Sequence, residues 1–216
     1  MAYQPDQPTV LLVTDPLCSW CWGMLPQMNQ ARDALADVAR FDLLLAGLQI
    51  SGTAGLSEFE GARLRHLWQK VAAATGQTFS GRLPEDPTFL YHSELACRAV
   101  EAVRQMTGIC PWSYFEAIQR TFYLDARNPC SFEVLGELAE ATCTPAELER
   151  AIRSRVVREA THAGFELARA LGAHALPTVL LDTGDGPKLV CGGFATADYL
   201  IPDLSSRLQA ASDAKP

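Results

Sequence analysis

The sequence contains no run rich in lysine and arginine, no internal repeat and no low-complexity stretch. Its formal net charge is −7, so we expect neither nucleic acid nor an anionic membrane surface among its partners, because both attract basic patches. The first residues have no basic start, and the apolar run after Pro8 is too short to span a membrane. We therefore expect no secretory signal, no membrane partner and a cytoplasmic location.

A second Cys-x-x-Cys pair and a closely spaced histidine pair are also missing. A structural zinc site needs four ligands, and the one close pair, Cys18 and Cys21, supplies two, so we expect no metal. A zinc knuckle on this pair is the weaker interpretation. The remaining cysteines are interpreted as small apolar residues rather than as a disulfide framework: Cys97, Cys110, Cys130, Cys143 and Cys191.

What the sequence does contain is a Cys-Ser-Trp-Cys motif, Cys18 to Cys21. Before it, Thr9–Val13 predicts a short buried strand, and after Gly23 apolar residues recur at helical spacing. The cysteines are therefore expected where a strand gives way to the first turn of a helix. Free N–H groups there carry about half a positive charge, so we expect Cys18 to be an unusually acidic, reactive thiol.

The remaining patterns predict an α/β protein with a mixed sheet. Strands are predicted at Phe41–Gly47, Thr178–Asp182 and Lys188–Cys191, the last two as a hairpin. Helices are predicted at 57–75, 93–107, 111–124, 131–142, 145–153 and 154–171, with a final helix from Thr196. We expect a sheet domain of residues 8–50 and 172–212. A helical insertion domain of residues 51–171 is expected beside it, and the last helix of that insertion, 154–171, is a candidate to pack with the sheet.

Helix boundaries carry their own signals. Four side chains are expected to cap helix starts: Ser57, Ser93, Thr144 and Thr196. Two glycines, Gly76 and Gly108, are expected to end helices.

Three segments together resemble a known family: Asp15–Gly23, Tyr91–Val100 and Ala175–Thr178. They are similar to the DsbA-like branch of thioredoxin-fold proteins, and within it to the FrnE-like predicted protein-disulfide isomerases. The resemblance covers nearly the whole chain and implies a thioredoxin fold with a large all-helical insertion. It implies an enzyme, a thiol–disulfide oxidoreductase that acts on protein or peptide thiols and disulfides. The expected redox group is the cysteine pair, without another cofactor, and glutathione or the thioredoxin system is a candidate electron partner.

The resemblance also assigns roles. Cys18 attacks a substrate disulfide and Cys21 resolves the mixed disulfide. Leu176–Pro177 is implied to be a cis peptide that faces the cysteines, so that the corner Leu176–Thr178 binds an extended substrate. Trp20 is expected to offer substrates an apolar platform.

Four more residues are candidates for a supporting role around the pair: Asp15, Trp22, His92 and His174. Thioredoxins carry a buried acid six residues before the first cysteine, where this chain has Leu12. Asp15 is the nearest carboxylate, and capping a turn is its simpler interpretation. Trp22 either joins the substrate platform or packs beneath the insertion. The two histidines either assist the thiolate or the substrate, or are surface residues.

Two other functions stay open at this point. A glutathione-dependent isomerase or transferase of the kappa type uses a similar scaffold, but typically carries serine at the reactive position. A non-catalytic, chaperone-like peptide-binding module would keep full activity without both cysteines. Ser19–Trp20 offers no cation to stabilise the thiolate. The sequence therefore does not determine where the reduction potential of the pair lies between about −270 mV, typical of a reductant, and about −120 mV, typical of an oxidant.

Overall fold

The computed structural model describes residues 7–50 and 55–214. The expectation of no secretory signal rests on residues 1–6, and the predicted insertion begins at residue 51; both lie outside the described residues. The elements are β1 (Thr9–Thr14), α1 (Ser19–Ala34), β2 (Arg40–Leu45), α2 (Glu58–Thr75), α3 (Glu94–Thr107), α4 (Trp112–Tyr123), α5 (Phe132–Leu138), α6 (Pro145–Arg153), α7 (Arg155–Ala170), β3 (Thr178–Asp182), β4 (Lys188–Gly192) and α8 (Ala197–Asp213).

The four described strands form one mixed sheet in the order β2-β1-β3-β4. β1 and β2 are parallel because α1 carries the chain back across the sheet, whereas β1–β3 and β3–β4 are antiparallel. Every residue of β1 is buried, as expected of a central strand covered on both faces. The predicted α/β class, with a thioredoxin-type sheet and helices inserted between its halves, is confirmed.

Helix ends test the boundary signals individually. The capping boxes at Ser57 and Thr144 are confirmed, and Gly76 and Gly108 end α2 and α3 with φ of 72° and 71°. Ser93 and Thr196 occupy the N-cap positions of α3 and α8, as predicted, but their side chains make no capping hydrogen bond.

In both cases a tertiary contact takes the place of the cap. The Ser93 hydroxyl donates to a buried carboxylate, and the first N–H of α8, from Ala197, donates to the side chain of Gln27. The helix predicted at 131–142 is also too long, since α5 ends at Leu138.

The inserted helices contact the start of α1. A side chain at Gly23 would bring a Cβ within 2.9 Å of methyl groups of Val71 and Thr75 on α2, so glycine permits this close approach. The Trp22 indole donates to the carbonyl of Thr78 at 2.9 Å, and Gln77 donates back to the carbonyl of Trp22 at 3.1 Å. α2 is therefore fixed to the turn that carries the cysteine motif.

At the other side of the sheet, α7 packs against β2. None of the helices in the described residues is long and apolar enough to cross a membrane.

Candidate active site

Cys18 is the residue that caps the start of α1. Its sulfur accepts a hydrogen bond from the N–H of Cys21 at 3.3 Å, and its carbonyl accepts the N–H of Trp22 at 3.0 Å. The predicted position, between a strand and the first turn of a helix, is confirmed. Both thiols are free, and both are buried, with 3% and 1% of their surfaces exposed.

The pKa of Cys18 differs from the sequence prediction. Burial raises the pKa of the thiol well above its ordinary value, and the Cys21 thiol and the Asp15 carboxyl raise it further. The N–H of Cys21 lowers it, but one backbone donor does not outweigh desolvation and nearby groups that disfavour the anion. The prediction of an unusually acidic Cys18 is therefore wrong for the buried dithiol.

Asp15 lies completely buried in the loop between β1 and α1. One carboxylate oxygen accepts the N–H of Leu17 at 2.8 Å. The other accepts the N–H of Leu48 and the hydroxyl of Ser93, both at 2.7 Å, and the thiol of Cys97 at 3.7 Å. No lysine or arginine of the described chain forms an ion pair with it. Burial raises the pKa of Asp15, although these donors oppose the shift.

The interpretation of Asp15 as a simple turn cap covers only its bond to Leu17. The other donors come from the loop after β2 and from the start of α3. The carboxylate therefore connects these two segments with the loop that precedes the dithiol. Gln119 adds a hydrogen bond to the Asp15 carbonyl at 3.3 Å. Sequence reasoning missed Ser93 and Cys97 as its partners. Both lie inside the family-like segment Tyr91–Val100, which was the available signal, but only the fold brings that segment to Asp15.

Tyr91 is a further residue that the sequence did not single out. Its hydroxyl donates to the carbonyl of Leu17, the residue before Cys18, at 3.0 Å. Burial raises the pKa of this phenol, and the groups of Asp15 and Cys18 raise it further. Tyr91 therefore remains a neutral donor that holds the approach to the motif in place.

The corner Leu176–Thr178 lies at the same end of the sheet as the dithiol. Thr178 pairs with Val13, so β3 begins where β1 ends and where the loop to Cys18 starts. The Leu176–Pro177 peptide bond is cis. The Pro177 carbonyl accepts the N–H of Gly193 at 2.7 Å, which ties the corner to the end of β4. Leu176 is half-buried, whereas Pro177 and Thr178 are buried.

The other candidate residues occupy different environments. Trp20 is half-buried in the first turn of α1. Trp22 is buried and stacks on Tyr123 at a centroid distance of 5.9 Å, which matches the interpretation of a ring packed beneath the insertion. A ring nitrogen of His92 lies 2.8 Å from the carbonyl of Ile50. His174 is exposed in the loop before the corner, and no hydrogen bond between described side chains joins it to the dithiol.

The remaining cysteines are free thiols. Cys97 is fully buried against Asp15, and the sulfur of Cys130 donates to the carbonyl of His92 at 3.2 Å. Cys110, Cys143 and Cys191 are half-buried. Within residues 7–50 and 55–214, no group of three or more Cys, His, Asp or Glu side chains could hold a metal ion.

Known structures resemble this chain over nearly its full length. A candidate protein disulfide isomerase from Nitrosomonas europaea shares 26% identity and superposes with a TM-score of 0.85, covering 95% of this chain and 99% of its own. The cytosolic disulfide reductase DsbM from Pseudomonas aeruginosa, also solved with GSH, shares 24% identity with a TM-score of 0.69 and coverage of 95% and 98%.

A structure with a different named activity has the same fold. A 2-hydroxychromene-2-carboxylate isomerase matches with a TM-score of 0.60 at 12% identity, covering 95% of this chain and 97% of its own. No protein-family model and no curated protein sequence matches the chain.

Proposed function

The chain belongs to the DsbA-like group of thioredoxin-fold proteins, and on that premise we propose that it exchanges thiols and disulfides through Cys18 and Cys21. The observation that carries the proposal is the hydrogen bond from the Cys21 N–H to the Cys18 sulfur at the start of α1. A donor in this position supports the thiolate as it forms and as it leaves. The free Cys21 thiol in the same turn supplies the second sulfur that the kappa-type alternative lacks.

In the proposed cycle, the Cys18 thiol loses its proton and its sulfur attacks one sulfur of a substrate disulfide. The substrate S–S bond breaks, one substrate thiol leaves, and a Cys18–substrate disulfide forms. The Cys21 thiolate then attacks the Cys18 sulfur, which releases the second substrate thiol and leaves a Cys18–Cys21 disulfide. The substrate is reduced by two electrons and the enzyme is oxidised by two. Substrate backbone would pair with Leu176 at the corner, and Trp20 would contact its apolar side chains.

We propose reduction of substrates as the net direction. A strongly oxidising pair depends on a stabilised thiolate in its reduced form, whereas burial and Asp15 raise the pKa of Cys18. The pair should therefore have a potential nearer to about −270 mV, the thioredoxin value, than to about −120 mV. Equilibration with a series of glutathione redox buffers, followed by thiol trapping, measures this potential.

Glutathione is the proposed electron partner, since DsbM is by its name a cytosolic disulfide reductase and has been solved with GSH. The cytoplasmic location stays a prediction from sequence. Two reduced glutathione molecules would return the Cys18–Cys21 disulfide to the dithiol and leave as oxidised glutathione, which balances the cycle.

Cysteine substitutions test the assignment. Cys18→Ser should reduce disulfide exchange to the uncatalysed rate, whereas Cys21→Ser should retain attack and accumulate a mixed disulfide visible by intact mass. Cys191→Ser, at a half-buried cysteine on β4, is the matched control and should exchange at the wild-type rate. Full activity in a Cys18→Ser, Cys21→Ser double variant would instead identify a peptide-binding module without redox chemistry.

A further inference from the structure

A groove with a volume of about 730 Å³ runs along α2 and is bounded by Gln49 and Tyr91. Its apolar lining includes Leu56, Phe59, Leu67 and Tyr91. Phe59 is 71% exposed and Leu67 is 37% exposed, so the groove presents two large apolar side chains to solvent. Burying such side chains against another polypeptide is favourable, at about 25 cal/mol for each Å² removed from water.

Basic side chains line the same groove. Arg63, His66 and Lys70 follow one another at helical spacing along α2, and all three are exposed. None of them forms a salt bridge with another described residue. The acidic residue of the lining, Glu60, already accepts the N–H and the hydroxyl of Ser57 in the capping box of α2. Glu60 keeps its negative charge and interacts with Arg63, so the lining carries two cations, Arg63 and Lys70, against one anion, on a chain whose formal net charge is −7.

Two residues of the groove connect it with the loop before the cysteine motif. Tyr91 forms part of its wall, and the hydroxyl of Tyr91 donates to the carbonyl of Leu17. Gln49 lines it too, beside Leu48, whose N–H holds the Asp15 carboxylate. A chain seated along α2 would therefore contact residues that hold the loop before Cys18.

We propose that this α2 groove docks polypeptide substrates that carry apolar and acidic side chains beside the disulfide. The inference rests on the proposed function and names the substrate class of the same site. The apolar lining fits the hydrophobic side chains, and the cations of Arg63 and Lys70 complement carboxylates. The fixed contact of α2 with α1 at Gly23 holds the groove and the dithiol in one geometry.

The test compares two disulfide peptides and one small disulfide. The peptides share Leu and Phe residues and differ in having Glu or Lys at the flanking positions, and hydroxyethyl disulfide reports chemistry without docking. For the wild type, we expect kcat/KM to favour the Glu peptide over the Lys peptide by roughly tenfold at low salt, with the preference shrinking as salt is added.

The double variant Arg63→Glu, Lys70→Glu should reverse that preference and leave hydroxyethyl disulfide turnover unchanged. Its matched control is Arg158→Glu, Arg169→Glu, two exposed arginines on α7 with the same change of charge, which should keep the wild-type preference. Phe59→Ser should weaken turnover of both peptides alike. An unchanged Glu preference in the α2 double variant would overturn the proposal, as would equal reversal in the α7 variant.

Direct binding separates this proposal from the proposed function. A cysteine-free, fluorescently labelled Glu peptide should bind the wild type in an anisotropy titration and bind the α2 double variant at least about tenfold more weakly. Peptide binding without turnover of any disulfide would overturn the proposed function but would still support the groove proposal. Three results would overturn the groove proposal: turnover of hydroxyethyl disulfide without peptide binding, dimerisation through α2, or preferential binding to anionic vesicles.

Discussion

Two aspartates beside neighbouring strands of the sheet are held in opposite ways. Asp42 on β2 pairs with the guanidinium of Arg104, which also donates to the carbonyl of Leu43 at 2.7 Å. Asp15, just beyond β1, is more deeply buried and meets only neutral donors. An ion pair fastens α3 to the sheet in the first region. In the second, an uncompensated carboxyl lies beside a pair of thiols.

The difference shows what each carboxyl can contribute. Removing either partner of a buried carboxylate–cation pair destabilises the fold, and the cation offsets the field of the carboxylate: at Cys110, Asp42 raises the pKa of the thiol and Arg104 lowers it. Asp15 has no cation beside it, so burial raises its pKa even though its neutral donors oppose the shift, and its charge also raises the pKa of Cys18. Asp42 therefore contributes to the stability of the fold, whereas Asp15 affects the chemistry of the dithiol.

The largest expected effect is on stability at the ion pair. Asp42→Asn removes one of the two carboxylates that pair with Arg104, in a site where the Asp42 and Arg104 side chains are 16% and 24% exposed, and leaves Glu101 at 3.4 Å as the other. Loss of one partner of a buried pair costs about 3–5 kcal/mol, and partial exposure reduces this to about 2 kcal/mol. Urea unfolding measures the loss. Asp37→Asn, at an exposed aspartate, is the control and should stay within about 0.5 kcal/mol of the wild type.

Turnover sharpens the same comparison. Exchange per folded molecule should be unchanged in Asp42→Asn, and a large loss there would erase the distinction between the two aspartates.

An intermediate effect is expected on the reactivity of Cys18. Alkylation of Cys18, followed by mass spectrometry across a pH series, should give a midpoint above that of a free thiol, because burial and its neighbours raise the pKa. Asp15→Asn removes one of those neighbours and should lower the midpoint, while burial keeps it above the free-thiol value of about 8.5. Asp42→Asn should leave the midpoint in place. A wild-type midpoint below the free-thiol value would restore the acidic thiol that the sequence predicted.

The smallest expected effect is a slope in stability against pH. The folded state binds a proton on Asp15 more tightly than the unfolded state, because the folded pKa lies above the ordinary 3.8. Stability from this group is complete below that value and is lost as the pH rises through the folded pKa. Relative to Asp15→Asn, the wild type should therefore lose stability on going from acid to neutral pH. Parallel curves for the two proteins would contradict the raised pKa.

The sequence predicted most elements of the fold because their signals are local. The strand ends of Thr178–Asp182, the capping box at Thr144 and the helix end at Gly76 all depend on neighbours within a few residues. Ser93 precedes α3 at the predicted N-cap position, but its hydroxyl bonds a carboxylate from another segment, Asp15, instead of the helix N–H groups. Such a contact has no periodicity or spacing by which to recognise it.

The site followed the same rule. Cys18 and Cys21 could be located, since a strand and a helix define their position. The direction of the Cys18 pKa could not be predicted, because it depends on how deeply the packed helices bury the sulfur and on a carboxyl that only folding brings near.

The tight joint between α1 and α2 has a consequence for altering this protein. Only the inner side of α2, with Val71 and Thr75, touches Gly23, and the outward residues Arg63 and Lys70 take no part in that contact. The outward residues of α2 can therefore be substituted while the backbone around the cysteine motif keeps its conformation. Under the two proposals above, α2 selects the substrate and the cysteine pair exchanges the disulfide, so a library of α2 surface variants should redirect the same dithiol to new substrates.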